Sequence, residues 1–447
     1  MELAARGTFW VAGSPENRVR GELSFRTGAD PEVTLEAGLV DDPCIRPIPG
    51  GVAYSGRAED SVAAFLPITL HGQLDTDELI TMLNAHNHGG SGQWFRGYPR
   101  YVAHTAVLGA NVDADQPIHA IRFRLGNRYW FDHLRNGDRA VTAHDAVLDI
   151  GTSEDGNWLT YTPATAETLR RLEVLVVSGT RTLMELSYDQ PFDAEDVQLR
   201  AVPEGPWLPL LTDALSASAA PINLNSLLPR EVLTLQVLAN WIPLNDRLDG
   251  LAAAVVSPIK GALQAETLVI TSLVEGIHRR LPYQQSKDPE ITKAVRTSIL
   301  DAARQAGRAE AEAHGVDPQI VGDSLQFHID VSFRMRATEI VREVCSVIPE
   351  IAESVTDLPG QIAKARNDFA HHLPIAIKEP LEASYLRWLI IVTATPWLLR
   401  SLLLLHAGIP PGVVREAFLE SDRFAHARAN IAQFVRELGW ELPPAAD

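Results

Sequence analysis

Short apolar runs, broken every eight to twelve residues by turn signals, fill the first two hundred positions of the chain. Gly-Glu-Leu-Ser-Phe, Val-Thr-Leu-Glu-Ala-Gly-Leu, Ala-Ile-Arg-Phe-Arg-Leu and Arg-Thr-Leu-Met-Glu-Leu-Ser-Tyr are examples, with Gly-Ala-Asp-Pro and Arg-Asn-Gly-Asp between them. Such spacing predicts an antiparallel β-sandwich or barrel, in one lobe or two. Pro163 to Glu173 reads as a short helix, with Thr162 as its N-cap and the proline at the first helical position. A boundary follows, where Val202-Pro-Glu-Gly-Pro-Trp-Leu-Pro and Ser216-Ala-Ser-Ala-Ala-Pro collect prolines and small residues. From Pro229 the pattern turns helical, punctuated at Pro258, Pro282, Pro374 and Gly408-Ile-Pro-Pro. The expected fold is therefore multidomain α+β. An antiparallel β-rich region over 1–205 leads through a Pro/Ala/Ser-rich linker, 206–230, to an α-helical bundle over 231–447.

Composition adds bounds to this picture. At 447 residues the chain exceeds what one compact core accommodates, and two or three domains are expected. The two cysteines, Cys44 and Cys345, lie far apart and form no metal or disulfide pattern, which fits a reducing cytoplasm. The N-terminus lacks the basic and apolar regions of a signal peptide. Trp388–Leu405 is the most apolar stretch, but its longest uncharged segment, Trp388–Leu399, has 12 residues and contains Pro396. A membrane span needs about 20. A buried helix kinked at the proline is expected instead, one that also suits a hydrophobic dimer face.

The net charge of −18 argues against a broad nucleic-acid-binding surface. It is unevenly shared. Residues 1–259 hold 19 basic and 33 acidic residues, net −14; residues 260–447 hold 20 and 24, net −4. Only the second half could tolerate a polyanion, and then through a focused positive spot.

Candidate chemistry begins with Arg366-Asn367-Asp368-Phe369-Ala370-His371, an arginine and a histidine five positions apart with an amide after the arginine. With 34 arginines and 14 histidines in the chain, about one such spacing arises by chance. Three occur: Arg128…His133, Arg139…His144 and Arg366…His371. The first two lie in aromatic or β-branched runs that read as strands, with no amide after the arginine. The third lies where Ile362, Ala365, Phe369 and Leu373 recur at helical spacing. About ninety residues upstream, Leu263, Ile270, Val274, Ile277 and Leu281 form a second stripe on a segment carrying Glu275 and His278-Arg-Arg.

These two segments resemble the active-site helices of HEPN-domain ribonucleases of the ApeA-like branch, a similarity covering roughly residues 260–440. The opening Gly7-Thr-Phe9-Trp10 with Gly21-Glu-Leu23-Ser-Phe25 is similar to the N-terminal domain of ApeA-type anti-phage proteins. The resemblance implies an all-α HEPN-like bundle at the C-terminal end. It implies a metal-independent endoribonuclease, without cofactor, that cuts host or phage RNA, tRNA being one candidate. It further implies a homodimer or higher homo-oligomer through the helical domain, a phage trigger at the N-terminal domain, and no membrane.

Cleavage by 2′-hydroxyl attack needs a group that titrates near neutrality and a cation for the charge growing on the phosphate. Arg366 would grip the phosphate with its planar fork, His371 would act as general acid or base, and Asn367 would orient the phosphate or the 2′-hydroxyl. His372 also fits the spacing. Asp368 lies within helical reach of both histidines and could raise a histidine pKa. Residues five apart on an ideal helix point about 140° apart; in the resembled family a helix end at a two-fold interface meets this difficulty. Against the catalytic reading stands a plainer one, in which Arg366 and Asp368 are solvated helix charges, and Glu275 and His278 are partners in a polar helix contact. The bundle would then serve as a dimerisation or ligand-binding module, and the β domain would bind a protein, nucleotide or glycan.

Other constellations carry less. His86-Asn-His88-Gly-Gly-Ser-Gly lacks the Lys-Ser/Thr of a phosphate loop and an identifiable third metal ligand, so it reads as a loop tip. His328-Ile-Asp330 has no nucleophile signature, and Arg304–Glu312 reads as an exposed helix face.

Overall fold

The computed structural model describes residues 2–39, 45–48, 51–54, 66–91, 98–125, 133–153, 156–188, 192–213, 215, 226–257, 261–285, 291–319, 321, 331–370 and 380–440. An antiparallel β-rich N-terminal region is followed by a helical C-terminal region. The chain divides into two units: residues 1–246 with 407–409, and residues 247–406 with 410–447.

The first unit is organised by one thirteen-stranded sheet. Its strands are β1 (Glu2–Val11), β2 (Val19–Arg26), β3 (Glu32–Leu35), β4 (Ile68–Leu74), β5 (Leu79–Ser91), β6 (Tyr98–Val102), β7 (Thr105–Leu108), β8 (Ala120–Leu125), β9 (Arg139–Val141), β10 (Val147–Ser153), β11 (Gly156–Thr162), β12 (Ala194–Arg200) and β13 (Leu208–Thr212). They lie in the order β9-β10-β11-β8-β12-β13-β7-β5-β4-β1-β2-β3-β6, every pair antiparallel. A further pairing of β5 with β6 closes β5-β4-β1-β2-β3-β6 into a six-stranded barrel. Alternation drives this closure: in β2 every second residue, Gly21, Leu23 and Phe25, is buried, while Glu22, Ser24 and Arg26 are exposed.

Glycines at three barrel positions let strands and rings approach. Gly7 pairs with Gly21, and a Cβ on either would meet the neighbouring backbone, Gln73 O at 2.6 Å or Thr34 O at 2.7 Å. Gly72 pairs with Phe9, which is fully buried, and a Cβ there would stand 2.6 Å from the Phe9 ring. Gly72→Ala is expected to destabilise the barrel by about 1–3 kcal/mol through overpacking, read as a lower urea midpoint. An unchanged midpoint would mean that the ring can shift aside.

Several local expectations change. Arg181–Tyr188, read as a strand, belongs to α2 (Gly179–Tyr188), which follows α1 (Leu169–Leu172) and a π-helical turn over Glu173–Ser178. Most residues of α2 are buried, so no polar face betrays its period. The helix expected from Pro163 starts instead at Leu169, with Thr168 as the N-cap accepting from the Arg171 N–H. Thr162 ends β11. The expected linker contributes β13, which pairs with both β12 and β7, and the first unit extends to Asp246 within α3 (Leu235–Leu248). His86 and His88 lie on β5 with exposed side chains, so the expected loop tip is a strand. Cys44, Arg128 and His328-Ile-Asp330 lie outside the described residues.

The second unit holds α4 (Leu251–Val256), α5 (Leu263–Arg280), α6 (Lys293–Ala313), α7 (Phe333–Cys345), α8 (Leu358–Ala370), α9 (Leu381–His406), α10 (Pro411–Glu420) and α11 (Asp422–Glu437). α9 is the central rod and packs against α4, α5, α7, α8, α10 and α11. It is long and apolar enough to cross a membrane by length and composition, yet 67% of its most apolar window is buried within the fold. It remains helical through Pro396. On α5 the expected stripe of Ile270, Val274 and Ile277 is buried, with Leu281 just beyond the helix end. No residue of α6 is buried, in line with the exposed face expected for Arg304–Glu312.

Candidate active site in the helical unit

α8 packs on α5 and α7 and carries the Arg366 segment. Its first turn is fixed by Asp357, whose carboxylate accepts from the Gly360 N–H at 3.1 Å and pairs with Arg334 at 2.7 Å. Ile362 and Ala365 face the core, which turns Arg366 and Asn367 towards the helix flank.

Arg366 is held from two other helices. Its Nη2 lies 2.5 Å from Oε2 of Glu275 on α5, and its guanidinium carbon lies 4.4 Å from the centre of the Phe333 ring on α7. The other oxygen of Glu275 accepts from Arg279, at 3.1 Å to Nε and 2.8 Å to Nη2. One carboxylate thus bridges two guanidinium groups, a local excess of one positive charge in an acidic protein. The Arg366 side chain retains 28% of its surface exposed, so its fork is oriented but still reachable. Stacking over Phe333 holds the guanidinium plane, a constraint that lysine would not feel.

Asn367 is exposed. Asp368 points elsewhere: its Oδ2 is 3.1 Å from Nη1 of Arg387, whose side chain is 1% exposed in α9. Phe369 and Trp388 meet beside that pair, ring centres 4.7 Å apart. Asp368 therefore ties α8 to α9. His371 and His372 lie outside the described residues.

His278 and Glu275 share α5 but belong to different polar groups. The fully buried His278 ring stacks on Tyr283 at 4.4 Å; its Nδ1 is 3.1 Å from Arg336 and its Nε2 is 2.6 Å from Glu339. A guanidinium can only donate, so Nδ1 accepts from Arg336, and Nε2 carries the proton given to Glu339. Tyr283 in turn donates to Glu343, which also pairs with His406 at 3.0 Å. Of the two readings the sequence allows for His278, support of the arginine site or a polar helix contact, the ring nitrogens make the latter kind of contact, with α7. Arg336, Glu339, Glu343 and Arg387 escaped that reading because a polar residue on a helix resembles a solvated one until packing covers it.

Burial pushes the His278 pKa below the ordinary histidine range, with Glu339 opposing and the Arg336 charge assisting the shift. The ring is neutral in the fold, so its contribution to stability is intact above about pH 6.5, where unfolded histidine is neutral too. It is lost as pH falls through that value towards the lowered native pKa. His278→Gln keeps an acceptor and a donor without the titration. Urea midpoints at about pH 7.5 and about 5.5 should therefore drop further in wild type than in the variant. Equal drops would show that the ring titrates in the fold as it does in the unfolded chain, so that burial does not lower its pKa.

Residues 4–139 match the family model described as ApeA N-terminal domain 1, a span running from β1 to the first residue of β9. No curated protein and no solved structure matches the chain.

Proposed function

We propose, from the match of residues 4–139 to the ApeA N-terminal domain 1 model, that this is an ApeA-like protein with an anti-phage defence function carried out by RNA cleavage in the helical unit. The activity is that of a metal-independent endoribonuclease of the HEPN type. It cuts host or phage RNA, with tRNA as a candidate substrate, and leaves a 2′,3′-cyclic phosphate. The observation that carries the reading is Arg366, oriented by Glu275 and Phe333 and still open to solvent.

In this mechanism Arg366 binds the scissile phosphate and stabilises the charge that develops on it. His371 moves the proton between the 2′-hydroxyl and the leaving 5′-oxygen, with His372 as the other candidate for that role. The exposed Asn367 hydrogen-bonds the phosphate or the ribose. Asp368 acts indirectly, by pinning the last described turn of α8 to Arg387. Pairing of two helical units in a homodimer brings the second set of side chains that the Arg–His spacing calls for. The N-terminal domain senses the phage trigger or restrains the nuclease, and the protein works in the cytoplasm.

One observation favours a different reading. The pairing of Arg366 with Glu275 at 2.5 Å is also what a purely structural bundle would contain, in which case the helical unit is a non-catalytic dimerisation or ligand-binding module. Cleavage of total tRNA by purified protein in EDTA separates the two, with Arg366→Ala and His371→Ala in parallel. Cleavage that survives EDTA and disappears in both variants supports the ribonuclease. Wild-type protein that neither cuts RNA nor protects cells challenged with phage leaves the module reading.

A further inference from the structure

Outside the helical unit, one group of side chains is brought together by backbone pairing alone. The barrel closes with Ala103 N–H donating to Pro31 O at 3.1 Å, which sets Asp30 beside His104. Along the β7–β13 pairing of the same sheet Thr105 is in register with Thr212, which sets His104 beside Asp213. The three residues lie in segments far apart in the sequence. One potential ligand atom from each falls within 4.8 Å of the others, with His104 Nδ1 3.1 Å from Asp30 Oδ1.

The cluster opens onto a cavity of about 440 Å³ whose lining includes His104, Asp213, Glu173, Arg170, Arg181 and Asp193. Glu173 opens the π-helical turn, a local distortion that recurs at ligand sites. Its half-buried side chain accepts from the Thr105 hydroxyl at 3.1 Å, the one side-chain hydrogen bond it makes among the described residues. Arg181 is committed to Phe192 O at 2.6 Å and to Asp193 at 3.3 Å. Burial pushes the Glu173 carboxyl up to about 7, so the charge balance rests on Asp213 in the lining and Asp30 beside His104. These outnumber Arg170, the remaining cation among the described lining residues, which favours a bound cation over an anion.

We propose that Asp30, His104 and Asp213 form a binding site for one divalent transition-metal ion, with its open coordination positions facing the cavity. An imidazole nitrogen with two carboxylates suits zinc or manganese better than calcium or magnesium. Glu173 lines the same cavity and would be the group available to hydrogen-bond water on the ion. The site lies in the N-terminal unit and is separate from the Arg366 chemistry.

The test uses the full-length chain, stripped with EDTA and exchanged into chelator-free buffer, titrated calorimetrically with zinc chloride and with manganese chloride. One equivalent per chain is expected for wild type. His104→Ala and Asp213→Asn should each weaken binding by more than about tenfold, and His88→Ala, on the exposed face of β5, should leave it unchanged. His104 and Asp213 are both exposed, so the variants should keep the wild-type circular dichroism spectrum. Absence of binding by either ion would overturn the proposal. So would binding that the two ligand variants share with wild type. Because the readout is heat and stoichiometry rather than cleavage, it is independent of the nuclease reading.

Discussion

Alanine in place of Arg366 is expected to lower RNA cleavage by about a thousandfold, close to the loss seen when one preorganised oxyanion donor is removed from an active site. In the proposed reaction the guanidinium would meet the growing phosphate charge from a position already fixed by Glu275 and by the Phe333 ring. That preorganisation would be lost with the fork, so Arg366→Lys should recover little of the rate. Glu275→Gln should cost less than either, since it leaves Arg366 charged and loosens only its orientation. Initial rates on labelled tRNA in EDTA check all three. A lysine variant near wild-type rate would mean that a point charge is enough, and the role assigned to the oriented fork would fall.

The second large effect concerns stability. Asp368→Asn removes the carboxylate 3.1 Å from an arginine that is 1% exposed. Breaking a buried ion pair on one side costs about 3–5 kcal/mol, and the 29% exposure of Asp368 places this case near the lower end. The urea midpoint of the helical unit should fall accordingly. Pairing the change with Arg387→Met should restore much of the loss, because the buried charge then disappears together with its partner. A double variant no more stable than Asp368→Asn would show that Arg387 is needed for its other contacts. The same substitution also reports on function, since α8 would lose a fixed point just before His371.

Much of this architecture was legible in the sequence. Alternation in β2 and the 3.6-residue stripe on α5 each follow from one buried face, and each was readable, whereas β8 alternates in sequence but is buried on both faces. The burial of α9 was legible too, because Arg400 and the short uncharged run point to a core helix, and 67% of its most apolar window is buried. α2 was misread because Arg-Thr-Leu-Met-Glu-Leu-Ser-Tyr satisfies an alternating pattern, while the observed helix buries nearly its whole circumference. The end of the β region was placed too early because Pro206 and Pro209 signal a loop, yet the chain between them and Asp213 enters the sheet. At the candidate site, sequence supplied Arg366 and Glu275 as residues of interest but could not supply their contact. That contact depends on how α5 and α8 pack. The separation of His278 from Arg366 was likewise invisible, since it depends on Arg336 and Glu339 arriving from α7. Asp30, His104 and Asp213 have no common motif at all; strand register alone assembles them.

The closure of β5 onto β6 has a consequence for self-association. A sheet that seals one end upon itself gives up the unpaired backbone by which strands recruit further strands. Among the described residues, the opposite end of the order is β9, three residues long, with an arginine at its start. So short and charged a border is a poor template for fibre growth. Edge-to-edge stacking of this thirteen-stranded sheet is thereby disfavoured, and association between chains falls to other surfaces.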